Sequence, residues 1–145
     1  PKSVEGPVRP VPHAISTPYG YVPGYPLNFG QHFGLDYDCP IGTPGTVRYS
    51  GRVVIARADW PDIWTAQQFN VYPKAWGLTL SIDIGRGYTE DYCHLSKITV
   101  SEGEWVEPGQ NCYETGESGL TFGAHLHLQV RYQGRRIDPA LTFTL

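Results

Sequence analysis

The stretch "HLHLQVRYQGRRIDP", residues 125–139, alternates polar and apolar side chains from His125 to Val130 and then meets Gln133-Gly134. In an extended chain residues i and i+2 share a face. His125 and His127 therefore project together, while Leu126 and Leu128 go to the opposite, apolar face. A Gly pair position after such a run is a tight-turn signal, so the segment reads as a β-hairpin.

The same grammar recurs upstream. "WGLTLSIDIGRGYTEDYCHLS" reads as a hairpin turning at Gly85-Arg86-Gly87, and "TVRYSGRVVIARA" carries a Gly in its middle that marks a tight hairpin or a bulge. Between Gly and Pro residues the longest open window, Tyr88 to Glu102, mixes β-branched and aromatic residues without a 3.6-residue apolar stripe. The shorter window "DIWTAQQFNVY" is the one plausible helix, with a structured loop as its equal alternative. Many short strands with Gly-rich turns predict an all-β fold, a compact antiparallel sheet or barrel-like domain with long loops and little helix. There is no internal repeat.

Composition bounds the classes of function. A chain of 145 residues suits one domain with its own core. Gly 17 and Pro 13 make roughly a fifth of it, short of the ~25–30% at which low complexity becomes the better reading. A net charge of -3 gives no electrostatic case for nucleic acid or an anionic membrane, and no apolar run reaches the ~18 residues of a membrane span. The Pro-rich first residues, 1–14, read as a linker or extended segment and 15–145 as the domain. The chain starts at Pro1 and lacks Met, which suggests a monomeric domain processed or excised from a larger protein. Cys39, Cys93 and Cys112 are odd in number and form no CxxC pair, so they read as core residues; one disulfide or a thiolate metal site are the alternatives.

Chemistry gathers around the histidines. An isolated HxH reads first as two polar residues on a solvated sheet face. Upstream, "GQHFGLDYD" sets His32 and Asp36 four apart with Gly34 between them, on one uncrowded face if the segment is extended. His32, Asp36 and one of His125 and His127 would make two imidazoles and a carboxylate. Such a three-ligand set leaves the fourth tetrahedral position open, as a catalytic Zn²⁺ requires. Bound zinc brings the pKa of its water to ~7 and polarises a carbonyl. The remaining histidine of the pair, and His94 in "YCHLS", would be placed for proton transfer.

In order along the chain, "ISTPYGY", "HFGLDYDCPIGTPG", "GYTEDYCHLS", "VEPGQ", "GAHLHLQV" and "GRRIDP" resemble the motifs of the lysostaphin-type (LytM-type) zinc metallopeptidases, which cut peptide bonds in bacterial cell walls. The resemblance covers about Ile15 to Pro139. It implies His32, Asp36 and His127 as zinc ligands, His94 and His125 as catalytic residues, and a metal groove between loops. All five positions hold the family's residue, which argues for an active enzyme.

Several features depart from the family pattern. "ADWPDIWTAQQFNVYPKAW" is longer and more aromatic than the usual turn; it reads as a loop packing its own rings or as a groove wall. "LTFGAHLHLQ" replaces the frequent "STGPHLHFE", which leaves the ligands intact and reshapes the groove. The cysteines fall where relatives carry small or aliphatic residues, and strand parity points Cys93 away from His94. Arg131, Arg135 and Arg136 read as a solvated edge, with a patch for anionic wall polymers as the alternative. His13 matches no motif. The implied function is a zinc endopeptidase of peptidoglycan stem peptides or cross-bridges, working in the envelope or outside the cell, with a slight lean toward a phage lytic enzyme. A non-catalytic wall-binding scaffold is the alternative, and a peptidase of other proteins a minor third.

Overall fold

The 125–132 strand lies inside the sheet, with partners on both sides. The computed structural model describes residues 7–145. The strands are β1 (Ile15–Thr17), β2 (Gly20–Tyr21), β3 (Gln31–His32), β4 (Leu35–Asp38), β5 (Pro44–Gly45) and β6 (Gly51–Arg57). One helix, α1 (Ile63–Phe69), separates these from β7 (Leu78–Gly85), β8 (Tyr88–Ile98), β9 (Trp105–Val106), β10 (Tyr113–Thr115), β11 (His125–Tyr132) and β12 (Arg135–Ile137). Ten strands form one antiparallel sheet with the path β1-β4-β11-β8-β7-β6-β9, from which β5, β10 and β12 branch; β2 and β3 pair separately. The fold is all-β, as the alternation predicts. No helix among the described residues is long and apolar enough to cross a membrane.

Both predicted hairpins form. Arg86 and Gly87 have φ of 55° and 85°, and Gln133 and Gly134 have 48° and 82°. Two successive left-handed residues match the right-handed twist of the flanking strands, which is why a glycine closes each turn. The third expectation shifts. Gly51 makes no hairpin but opens β6, where an added Cβ would meet the Asp83 carbonyl at 2.4 Å. The bulge in that strand falls between Val53 and Ile55. The helix alternative prevails over 63–69: the Asp62 carboxylate accepts from the Thr65 amide at 2.7 Å, and Asn70 in the left-handed region ends the helix.

The apolar face of β11 is the core. Leu126 and Leu128 are fully buried among Leu80, Ile82, Tyr92 and Tyr113, and Val130 is fully buried beyond them. Residues 1–6 of the 1–14 segment lie outside the described residues. From Val8 on, the chain is tied to the domain: the Val8 amide donates to the Arg48 carbonyl, Thr46 donates to Pro10, and Val11 is buried in the core cluster.

One ion pair lies within this apolar mass. The Arg48 guanidinium donates to both oxygens of Glu90, which is wholly buried, and the Tyr92 hydroxyl donates to the same carboxylate at 3.0 Å. Burial opposes the charge on Arg48, but Glu90 beside it overrides that and holds the arginine protonated. Removing one partner of such a pair leaves an uncompensated charge, which costs about 3–5 kcal/mol. Arg48→Ala is therefore expected to lower the free energy of unfolding by that amount in urea titrations, whereas Arg52→Ala on the exposed edge should change it by less than about 0.5 kcal/mol.

Candidate metal centre

Register sets the two histidines of β11 against the acidic strand beside them. His125 lies opposite Asp38 and His127 opposite Asp36 on β4, while His127 also faces Cys93 on β8. Directly opposed residues of antiparallel strands share a face. His127 and Asp36 thus meet: His127 Nδ1 lies 2.9 Å from Asp36 Oδ1. His32, at the end of β3, approaches the same oxygen with Nε2 at 3.2 Å. The ligand atoms of His32, Asp36 and His127 all lie within 4.8 Å of one another.

Gly34 makes this approach possible. A Cβ at that position would sit 2.5 Å from the Leu128 carbonyl and 2.6 Å from the His127 ring. The intervening glycine of "HFGLD" therefore clears the face on which His32 and Asp36 meet the β11 histidine.

Outer partners decide which nitrogen each ring turns inward. A carbonyl only accepts, so His32 Nδ1 carries the proton it gives to the Pro18 carbonyl at 2.8 Å, and its Nε2 presents a lone pair. Burial lowers the pKa of His32, but the pairing that a protonated Nε2 would make with Asp36 outweighs it and leaves the value raised. For His127 the chain of reasoning is longer. Asp91 is wholly buried and accepts from Arg131 Nε at 2.7 Å, Arg131 Nη2 at 2.9 Å and Ser81 Oγ at 2.6 Å. It also accepts from Gln129 Nε2 at 3.0 Å, which turns Gln129 Oε1 toward His127 Nε2 at 3.1 Å. His127 must donate from Nε2, so its Nδ1 lone pair faces Asp36.

Three acceptor atoms thus converge, and His32 Nε2 is buried with no hydrogen-bond partner. Lone pairs gathered this closely repel unless a proton or a cation sits among them. Two imidazoles, each fixed by an outer partner, and a carboxylate are the donor set of a catalytic divalent metal such as zinc. Without a cation, a proton shared with His127 or His32 takes its place: burial disfavours ionised Asp36, but that pairing and the nearby imidazole charges win and hold its carboxyl well below the usual range.

The other two predicted histidines border the same volume. His125 Nδ1 donates to the Gly123 carbonyl at 2.8 Å, and its Nε2 lies 3.5 Å from Asp36 Oδ1. His94 Nδ1 donates to the Ser118 carbonyl at 2.7 Å, and its ring centroid lies 4.9 Å from that of His125. His94 adopts φ of 63° in the middle of β8, a left-handed residue at a register shift. The bulge breaks strand parity, so His94 joins the histidine cluster although Cys93 already faces His127. The parity expectation that Cys93 lies on the far side is thereby corrected; its thiol is wholly buried, and all three cysteines are free. Burial, then the charges of His127 and His125, pushes the pKa of His94 down to about 3.

A cleft of about 820 Å³ opens over the cluster, walled by Tyr25, Asn70, Tyr72, Trp76, Phe122 and Arg136 among others. The aromatic loop does both things expected of it. Trp60 and Phe69 pack on Trp76, while Tyr72 stays 68% exposed at the cleft. The solvated-edge reading of the arginines fails for two of the three: Arg131 is consumed by Asp91 and Arg136 lines the cleft. Gln129, Asp91 and Ser118 escape sequence reasoning, although Gln129 and Arg131 continue the polar stripe of His125 and His127 at the same parity.

Comparison with known proteins agrees with this geometry. The model of peptidase family M23 matches residues 30–139. Lysostaphin of Staphylococcus simulans is 36% identical over 113 residues, 77% of this chain and 20% of the relative. The peptidoglycan DD-endopeptidase ShyA of Vibrio cholerae is 35% identical over 107 residues, 74% of this chain and 22% of the relative. The chain thus spans about a fifth of the length of these curated relatives. The catalytic domain of lysostaphin superposes with a TM-score of 0.71 at 26% identity, covering 92% of this chain and 93% of that one. A zinc-containing peptidase from Vibrio cholerae gives 0.73 at 26% identity, over 94% of this chain and 39% of that one.

Removing the amide that holds His127 should loosen the centre without dissolving the sheet. Gln129→Leu is expected to weaken zinc affinity about 10- to 100-fold in chelator competition. The folded far-ultraviolet spectrum should remain.

Proposed function

The chain belongs to peptidase family M23, and on that premise we propose that it is a zinc-dependent endopeptidase domain acting on peptide bonds of bacterial peptidoglycan. His32, Asp36 and His127 are assigned as the zinc ligands, and His94 and His125 as the catalytic histidines. The observation that carries the assignment is the convergence of three acceptor atoms beside a buried, partnerless His32 Nε2. The zinc-containing Vibrio peptidase and the peptidoglycan endopeptidase ShyA support the metal and the substrate.

When bound, zinc supplies a Lewis acid that polarises the scissile carbonyl and acidifies the attacking water. The protein supplies proton carriers. Both His125 and His94 commit Nδ1–H to a backbone carbonyl, so both present Nε2 to the cleft as an acceptor. His94 in particular rests neutral. In its neutral form each ring can only take a proton at that nitrogen. Once one has accepted the proton of water, its imidazolium becomes a donor to the oxyanion and then to the leaving nitrogen. The Gly123 and Ser118 carbonyls keep both rings oriented through that exchange.

The cleft walls exclude water and hold an extended peptide across the histidines. Such a substrate places the work of the domain at the cell wall, in lysis or remodelling. A non-catalytic scaffold is disfavoured because all five residues are in place and mutually oriented.

His125→Ala is expected to abolish release of new amino termini from purified sacculi, by at least about 100-fold, while zinc content measured by atomic emission stays at one ion per chain. Full activity in that variant would refute the proton-carrier role. A wild-type protein that binds no zinc would favour the scaffold.

A further inference from the structure

Three arginines of this chain lose much of their water, and two of them are matched by carboxylates. Arg48 has Glu90 and Arg131 has Asp91. Arg136 on β12 is the third, and among the described residues no carboxylate pairs with it. Among the described residues it is also the only arginine or lysine lining the cleft.

Its position is fixed rather than adaptable. The guanidinium lies 4.3 Å from the centroid of Phe33, the neighbour of His32, and Nη2 donates to the Phe69 carbonyl at the end of α1 at 3.0 Å. A planar fork held on an aromatic face and tied at one nitrogen keeps its other N–H groups in a set direction. Burial without a carboxylate pushes the pKa of Arg136 down, whereas the charges of Glu90 and Asp91 raise those of Arg48 and Arg131. The acidic residues of the cleft are engaged elsewhere. Asp36 is taken by the histidines, and Asp38 accepts from Ser16 at 3.0 Å. Tyr25, tilted against the His32 ring with centroids 5.0 Å apart and lining the same cleft, makes no side-chain hydrogen bond among the described residues.

We propose that Arg136 is a substrate-selecting residue that receives a peptide carboxylate on the His32–Phe33 side of the cleft. The inference rests on the peptidase reading above and adds to it the substrate class: a peptide bearing a free carboxylate near the scissile bond, rather than a neutral cross-bridge. A charge-assisted Arg–carboxylate contact converts to roughly 10- to 100-fold in affinity.

The test uses soluble wall peptides, either native or with their carboxyl groups converted to carboxamides. Binding is read by fluorescence anisotropy on zinc-loaded His125→Ala protein, in which turnover is blocked, with and without Arg136→Gln or Arg136→Lys. The expected result is a 10- to 100-fold preference for the native peptides that collapses to within about 3-fold in Arg136→Gln and is partly kept in Arg136→Lys. A purely structural role for Arg136 would weaken both ligands alike and leave the preference intact, which overturns the proposal, as does the absence of any preference in the Arg136 protein. Turnover of native sacculi by wild type is measured separately. If it fails while the preference and its loss persist, the peptidase reading falls and the carboxylate site stands.

Discussion

A buried carboxylate with no access to water must be fully paired, and Asp91 is where this fold meets that demand. Arg131 gives it two hydrogen bonds, Ser81 a third and Gln129 a fourth. The fourth matters most for chemistry. Because Asp91 can only accept, the Gln129 amide has one orientation, and His127 consequently has one tautomer. A charge wholly inside the sheet thus sets which nitrogen of a surface-proximal imidazole carries a lone pair. The site's electronic arrangement is decided two side chains away from it.

This dependence explains how β11 can serve two masters. Its odd-numbered residues run His125, His127, Gln129, Arg131, and its even-numbered ones Leu126, Leu128, Val130. The apolar set locks the register, since a slip by one residue would send every histidine into the core. The polar set follows that register, and the bonds of Gln129 and Arg131 to Asp91 on β8 reinforce it. The apolar face supplies the core and the polar face the site, with Asp91 joining the two.

Much of this is legible in the sequence. Period-2 alternation and turn glycines reveal strands because strand faces are local, and the 85–87 and 133–134 turns follow from the same rule. His32, Asp36, His125 and His127 were legible because their spacing is local too. What escaped has a physical reason in each case. The support of His127 comes from β8, some 36 residues away in sequence, and no local period reports a cross-strand partner. Cys93 was misread because parity fails wherever a bulge intervenes, and His94 sits on one. Gly51 and Gly34 look alike in sequence, yet one admits a neighbouring strand and the other a histidine ring. Arg131 and Arg136 looked like an edge because the loop that covers them lies more than 60 residues upstream.

The cleft wall and the metal-facing strand are not separate parts. Arg131 lies 5.7 Å from the Trp60 and Phe69 rings, Arg136 grips the Phe69 carbonyl, and both arginines belong to the hairpin that carries His125 and His127. For anyone grafting a different loop between β6 and β7, this means the loop is not a detachable module. A replacement lacking aromatic rings and a helix end at those positions would strip the lid from the Asp91 pair and let water reach the residues that orient His127. Transplanting the loop therefore means transplanting the arginine hairpin with it.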